Sequence, residues 1–344
     1  MTTTTSSNLQ TSAASAPVVN TSQYQVVTCV TGGYRFALPT THLSGVYQVA
    51  RQQLGKKMEV LSTPEGDLPV ASLATLLSLH LGLDITPSDE ERALVAIRLN
   101  DKIATIRVGQ LSRPIDVAPN HRHQIPSVAQ PSGTAELFSH ITNIEPDSDA
   151  PDEALALVVD PLKALGFADQ KPVSAPAAPV QSPALTAQAT PSRRGSDHLI
   201  SFVPEDVPRQ LLNFVFCLPL MSVAAVVTSH TLMTSPFQSD IFSGYILWRK
   251  IPVPIIKLGP AFGMDSHQGE KRQNRRGRRL VIARGSGHRY VGFYTQTQMH
   301  SMKVPLSSAT EFDELAGRPC MGAFKTDFGG MVIPDIDRLL ALEN

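Results

Sequence analysis

Charge, aromatic side chains and cysteine are all scarce in this chain. Only 17% of its 344 residues are charged and 6% are aromatic, with three cysteines and one tryptophan. Thirty basic residues offset thirty acidic ones, so no net field draws the whole molecule to nucleic acid or to an anionic membrane, and partners must be argued locally. Cys29, Cys217 and Cys320 lie far apart, form no CxxC pair and are odd in number. That fits a reducing compartment better than a disulfide framework, with the three thiols expected as small apolar core residues. Met1 to Ser22 has no charged residue and no continuous apolar run, so both parts of a secretory signal are missing and a cytoplasmic location is expected. The most apolar window, Phe214 to Val227, is about 14 residues long against the about 20 that a spanning helix needs. It is expected in a core, with no membrane insertion.

Hydrophobic residues nevertheless make up 42% of the chain, and the length suits two domains of roughly 150 residues each. Residues 1–22 are half Thr and Ser, and Lys171 to Pro191 holds five Pro and six Ala without an aromatic. Neither stretch buries enough surface to offset its ordering entropy. The expected organisation is a disordered tail at 1–22, a domain at 23–169, a semi-stiff Pro/Ala linker at 170–195 and a second domain at 196–344.

The two blocks repeat each other. Phe36-Ala37-Leu38-Pro39 answers Phe216-Cys217-Leu218-Pro219 at an offset of 180, and Leu43 and Val46 keep step with Val223 and Val226. Leu68 to Leu73 answers Val253 to Leu258 at 185, Leu94 to Arg98 answers Leu280 to Arg284 at 186, and Val158-Val159-Asp160 with Leu165 answers Ile333-Pro334-Asp335 with Leu340 at 175. Ordered matches with slowly drifting offsets indicate one fold used twice, with loop insertions.

Within each block the apolar runs are short, β-branched or alternating, and broken by Gly, Pro, Asn or Asp. Leu94–Leu99, Asn100-Asp101 and Lys102–Val108 predict a hairpin. Leu280–Arg284, Gly285-Ser286-Gly287 and His288–Tyr294 predict its counterpart. Helical spacing is confined to Leu73–Leu81, ending at Gly82, and to a closing helix over Asp335–Leu342. The fold class is mainly β, built from small barrels.

These residues resemble the CheW-like chemotaxis coupling family. Its domains run from a strand ending in Ala-Leu-Pro through a short helix to a Gly-x-x-x-x-Arg-Gly stretch and Pro-Val-x-Asp-Leu. A strand pair and a Leu-Asp strand before a last helix follow. The second block carries Phe216 to Pro219, Gly244-Tyr245-Ile246-Leu247-Trp248-Arg249, Val253 to Leu258, the hairpin and Asp335. The first carries Phe36 to Pro39, Leu68-Pro69-Val70 with Leu73, the hairpin and Asp160, and reads as a degenerate copy. Lys250 and Lys257 replace the family's glycine and aspartate in the second block; Pro64 and Ser72 replace the arginine and aspartate in the first. The resemblance implies two tandem modules, each of two five-stranded SH3-like barrels with short helices. It also implies a non-enzymatic adaptor whose partners are a chemoreceptor's cytoplasmic tip, the regulatory domain of a histidine kinase and other CheW-like proteins, with flagellar or pilus motility downstream.

For partner binding the resemblance singles out Arg249, whose rigid donor fork suits a carboxylate or several carbonyls of a partner helix. Trp248 and Lys250 flank it, and Ile241, Phe242 and Tyr245 stand on the approach to it. Core packing is the ordinary role of such apolar residues, and a surface contact within its own domain that of a lone arginine. An alternating strand would turn Trp248 and Arg249 to opposite faces. Pro254, Ile255 and Ile256 read as core.

Other chemistry is thin. Lys271 to Arg279 holds six basic residues in nine, the one alternative footing for nucleic acid or an anionic surface, but no aromatics interleave for base stacking. His121, His123 and His140 have no companion ligand at metal spacing and read as loop residues. Ser286 is a turn residue, and Asp89-Glu90-Glu91 read as a polar loop without desolvation. No phosphate loop, dinucleotide fingerprint or zinc motif occurs. No catalytic, cofactor or metal residue is expected, and the rival class is an enzyme built on the same barrels.

Overall fold

The computed structural model describes residues 24–48, 60–63, 66–81, 91–99, 102–130, 137–145, 150–166, 198–207, 214–237, 239–264, 279–296, 299–303, 317–326 and 329–342, with single residues Ile85, Ser148 and Leu315 between them. The expected tail at 1–22, the linker at 170–195, the Asn100-Asp101 turn, Asp89, Glu90, Pro64 and the basic run up to Arg278 lie outside the described residues.

The first half runs β1 (Gln25–Thr31), β2 (Tyr34–Pro39), β3 (Leu43–Gln48), β4 (Val60–Thr63), β5 (Gly66–Ser72), helix α1 (Leu73–Leu81), β6 (Ala93–Leu99), β7 (Lys102–Val108), β8 (Ile115–Asp116), β9 (Arg122–His123), β10 (Phe138–Asn143), α2 (Pro151–Ala154), β11 (Leu155–Val159) and α3 (Pro161–Ala164). The second runs β12 (His198–Phe202), β13 (Phe214–Pro219), β14 (Val223–Val227), β15 (Phe242–Trp248), β16 (Ile251–Ile256), α4 (Leu258–Ala261), β17 (Arg279–Arg284), β18 (Tyr290–Thr295), β19 (His300–Lys303), β20 (Cys320–Thr326), β21 (Gly329–Pro334) and α5 (Ile336–Leu340).

Among the described residues the strands form four sheets, two per half. The first half has the orders β8-β1-β2-β11-β10-β9 and β3-β6-β7-β5-β4, and the second β19-β12-β13-β21-β20 and β14-β17-β18-β16-β15. The first of these has six strands where five were expected, because the two-residue strand β9 extends it at one edge beyond β10.

Register, more than strand order, shows that one fold is used twice. The parallel pairing of Leu157 with Phe36 recurs as Val332 with Phe216, and that of Val70 with Thr105 recurs as Ile255 with Gly292. Even the irregularities repeat. A bulge between Leu43 and Gly45 returns between Val223 and Ala225, and one between Phe138 and His140 returns between Cys320 and Gly322. Bulges bend strands at defined places, so a shared set of bulges means a shared curvature. The eroded motif in the middle of the first half still folds as the β4–β5 hairpin, with Val60 opposite Pro69 as Tyr245 lies opposite Pro254.

Each half buries its apolar residues in two ways. Alternate residues point inside one sheet, as Ile246, Val253, Ile255, Leu280 and Ile282 do in the second half. Their neighbours point to the space between the two sheets, where Phe216, Leu218, Ile256, Val281 and Phe293 meet the closing helix through Leu339 and Leu340. The matched aspartates cap the matched helices. Asp160 accepts from the amides of Leu162 and Lys163 at 3.0 and 3.3 Å, and Asp335 accepts from those of Asp337 and Arg338 at 3.0 and 3.1 Å. Such a cap is worth about 1 kcal/mol.

Local expectations fare unevenly. Helix α1 spans the residues expected, and β6 and β7 pair up to Leu99 opposite Lys102. His288 is not in a strand: it closes a short 3-10 turn with Gly287, both at positive φ, and β18 begins at Tyr290. Cys29 and Cys217 are buried, whereas Cys320 is only partly so because β20 is an edge strand. Of the Phe214–Val227 window, β13 is interior but Val226 on the edge strand β14 is exposed. Pro254, Ile255 and Ile256 are all buried. Among the described residues no helix is long and apolar enough to cross a membrane.

Candidate interaction surface

The sequence Gly244 to Arg249 forms β15 and the first residue of its turn. Trp248 pairs with Ile251, so Arg249 and Lys250 are the two central residues of a tight hairpin, with φ of 50° and 67°. Positive φ at both positions is the signature of a type I′ turn, whose twist matches that of the flanking strands. Such turns favour Gly or Asn, and here two long cations occupy it. The consequence is that both side chains project from the tip of the hairpin, and both residues are exposed.

Arg249 does not face away from Trp248, as alternation along a strand would require. It lies in the turn, and its guanidinium stacks over the indole, 4.7 Å from the ring centroid. The indole is itself braced edge-on by Tyr290 at 5.1 Å. A cation held over an aromatic face keeps its in-plane donors available while losing part of its rotamer freedom. Arg249, Trp248 and Lys250 therefore form one pre-set cationic and aromatic tip.

Glycine at position 244 is also accounted for. Its φ is 139°, and a Cβ there would run into the carbonyl of Met233. That carbonyl accepts from the Tyr245 amide at 2.9 Å, and the Tyr245 carbonyl accepts from the Met233 amide at 2.8 Å.

The approach residues behave differently from the tip. Phe242 and Tyr245 are 0% and 1% exposed, so neither meets an outside partner in this conformation, contrary to the exposed approach expected of them. What covers them is the first half of the chain. Phe242, Tyr245, Met233 and Phe237 join the same apolar cluster as Phe138, Phe36 and Leu155. The Phe138 and Phe237 rings meet at 4.6 Å, and the Asn143 amide donates to the Lys250 carbonyl at 3.4 Å. Val128 of the first half reciprocates, packing into the cluster of the second. Ile241 is half-buried against that second cluster.

Several polar residues sit where sequence alone did not place them. Lys257, at the family's aspartate position, donates to the Ser239 carbonyl at 3.3 Å and precedes α4 without capping it. The cap comes instead from Asp206, whose carboxylate accepts from the Gly259 amide. Burial pushes its pKa up to about 6, against the opposing pull of that amide and of Lys257. Glu91, expected in a solvated loop, is buried. Desolvation raises its pKa while the Ser72 hydroxyl, donating at 3.0 Å, and the Arg107 guanidinium, at 3.5 Å, hold it back.

His123 and His140 are on the neighbouring strands β9 and β10 rather than in loops. His140 is pushed down to about 4 by burial and by Arg122 and His123, and lies 5.4 Å from the Tyr24 ring. Ser286 donates its amide to Asp337 and is a turn residue. Among the described residues, no three His, Cys, Asp or Glu side chains converge as metal ligands would.

Comparison with known proteins agrees with the second half of this picture. Residues 209–344 match the family model of the CheW-like domain. Among solved structures, the chain is similar to the scaffolding protein TtCheW from Thermoanaerobacter tengcongensis. The identity is 19% over 41% of this chain and 86% of that one, with a TM-score of 0.33. No curated protein matches the sequence.

Proposed function

We propose that this chain is a non-enzymatic coupling adaptor of a chemosensory pathway, joining a chemoreceptor's cytoplasmic tip to the regulatory domain of a histidine kinase. Residues 23–169 and 196–344 are its two modules and 170–195 the tether between them. The observation that carries the reading is the hairpin tip. In the half that matches the CheW-like family, the motif arginine, Arg249, is presented at a tight turn and stacked on Trp248.

A guanidinium at such a tip docks by donating to the negative end of a partner, either a carboxylate or the free carbonyls at the end of a helix. Lys250 adds charge beside it, and the exposed part of Trp248 adds apolar area. Tip aromatics next to arginine are the residue types on which binding energy concentrates. Ile241, half-buried, contributes at the margin, and Phe242 and Tyr245 act by holding the hairpin against the body of the molecule.

The test is a pull-down of the full chain against chemoreceptor cytoplasmic fragments and kinase regulatory domains, using the native protein, Arg249→Glu and Arg249→Lys. The native chain is expected to be retained, Arg249→Lys weakened and Arg249→Glu lost. Equal capture of native and Arg249→Glu would remove Arg249 from this role, and no capture of any form would overturn the adaptor reading itself.

A further inference from the structure

The two halves do not close on each other everywhere they meet. Between the tip of the β1–β2 hairpin and the segment Leu232–Thr234 lies a cavity of about 390 Å³, lined by Val30, Gly33 and Arg35 from the first half and by Leu232, Met233 and Thr234 from the second. Ligand sites fall preferentially at junctions between folded units, and this volume is at the small end of their range. It suits a small molecule rather than the face of a folded partner.

Backbone hydrogen bonds set both walls. Val30 pairs with Arg35 across β1 and β2, which places the two side chains next to each other on one face of the ribbon. Gly32 and Gly33, at φ of 57° and 82°, close the hairpin just beyond them. Val30 keeps 39% of its surface exposed, and Arg35 is half-buried. On the opposite wall Met233 is bonded to Tyr245 in both directions, and Leu232 and Met233 are each anchored in an apolar cluster. Such a site is formed before a ligand arrives, which lowers the cost of binding.

Arg35 is the unusual member of the lining. Among the described residues no carboxylate pairs with its guanidinium and no carbonyl accepts from it. Its counterpart in the repeat is Val215, one residue before Phe216 as Arg35 is one before Phe36, and Val215 packs against the cluster of Leu199 and Cys217. An apolar residue therefore serves the fold at this place, and the first half carries a cation instead. Without an acid beside it, that cation keeps its planar donor fork for a group from outside. The Thr234 hydroxyl likewise has no partner among the described residues, while Val30, Leu232 and Met233 are apolar.

We propose that this cavity binds a small carboxylate carrying a short apolar chain. The carboxylate takes the Arg35 fork in two parallel hydrogen bonds, the Thr234 hydroxyl adds a third, and the chain lies against Val30, Leu232 and Met233. Arg35 would repel a metal cation. Phosphate would set further charge against three apolar side chains. Because the walls belong to different halves, the bound molecule ties them together and stabilises the seam by mass action. The site is apart from the Arg249 tip and does not rest on its role.

Titration of hexanoate into the full chain at pH 7, followed by calorimetry and by amide NMR, tests the proposal. One hexanoate is expected to bind per chain, with the amide signals of Gly33 and Thr234 shifting together. Hexanol, which lacks the charge, acetate, which lacks the chain, and inorganic phosphate are each expected to bind at least about tenfold more weakly. Arg35→Val, which installs the residue used in the repeat, is expected to lose binding with an unchanged circular dichroism spectrum. Val30→Trp fills the cavity from a partly exposed position and should block hexanoate with Arg35 intact. Arg249→Glu should bind hexanoate as the native chain does, so this site and the adaptor role fail separately. No saturable binding of hexanoate to the native chain would overturn the proposal. So would binding retained in both Arg35→Val and Val30→Trp, or hexanol or phosphate binding as tightly as hexanoate. Amide shifts confined to other parts of the chain would place hexanoate elsewhere and overturn it equally.

Discussion

Phe138 and Phe237, 99 residues apart in sequence, meet edge to face with ring centroids 4.6 Å apart. One belongs to the first half and the other to the second, and both are nearly inaccessible to solvent. The pair lies in a seam that also includes Met233, Phe242 and Tyr245, so the two halves share part of one apolar core.

Removing one ring should therefore damage the molecule as a core mutation does. Phe237→Ala is expected to cost about 3–5 kcal/mol, the range for truncating a buried phenylalanine. In chemical denaturation the native chain should lose its β signal and its Trp248 fluorescence together. Coincident loss at the native midpoint in Phe237→Ala would show that the seam contributes nothing to stability.

The turn at Arg249-Lys250 carries a conformational cost that is open to measurement. Lys250 holds φ at 67° with a Cβ present, where glycine adopts that backbone without penalty. Lys250→Gly relieves this while adding freedom to the unfolded chain, so a net gain of about 0.5–1 kcal/mol is expected. The Lys250 carbonyl that receives the Asn143 amide survives the change. Lys250→Val, β-branched in the same conformation, should be destabilising. A lower thermal midpoint for Lys250→Gly than for the native chain would contradict the turn geometry.

Two buried groups pull the pH dependence of stability in opposite directions. Asp206 binds its proton more tightly folded, at about 6, than its ordinary carboxylate value of 3.8 allows unfolded, so its contribution favours folding increasingly as pH falls from about 6 to 4. His140, pushed down to about 4 from 6.5, is protonated first in the unfolded chain, so its contribution is lost as pH falls through the same window. Asp206→Asn keeps an oxygen for the Gly259 amide and removes the first slope. Urea denaturation at pH 7 and pH 4.5 should show the variant losing more stability on acidification than the native chain, by on the order of 2 kcal/mol. Equal losses would rule out the raised Asp206 value.

The repeat was legible because a core leaves a pattern. Phe36 with Phe216 and Leu38 with Leu218 must fill the same space, and Asp160 with Asp335 must cap the same helix. The motif glycine was legible too, and Gly244 proves to be where a side chain would strike the Met233 carbonyl. By contrast, nothing in the local sequence separates Tyr245 from Val60. Both are apolar residues on a short strand, and only the arrival of another sheet buries one of them. Glu91 looked solvated because its neighbours in sequence are polar, but its neighbours in space are Ser72 and Arg107.

Sequence by itself determined that this is a mainly β chain with one fold used twice, since alternation, turn residues and core volumes are local properties that repeat wherever the fold repeats. Tertiary structure alone decided which copies of a face are covered, how Arg249 folds back onto Trp248, and which carboxylates lose their water. Those outcomes depend on the meeting of surfaces far apart along the chain, and burial energy is set by what arrives on a residue rather than by what precedes or follows it.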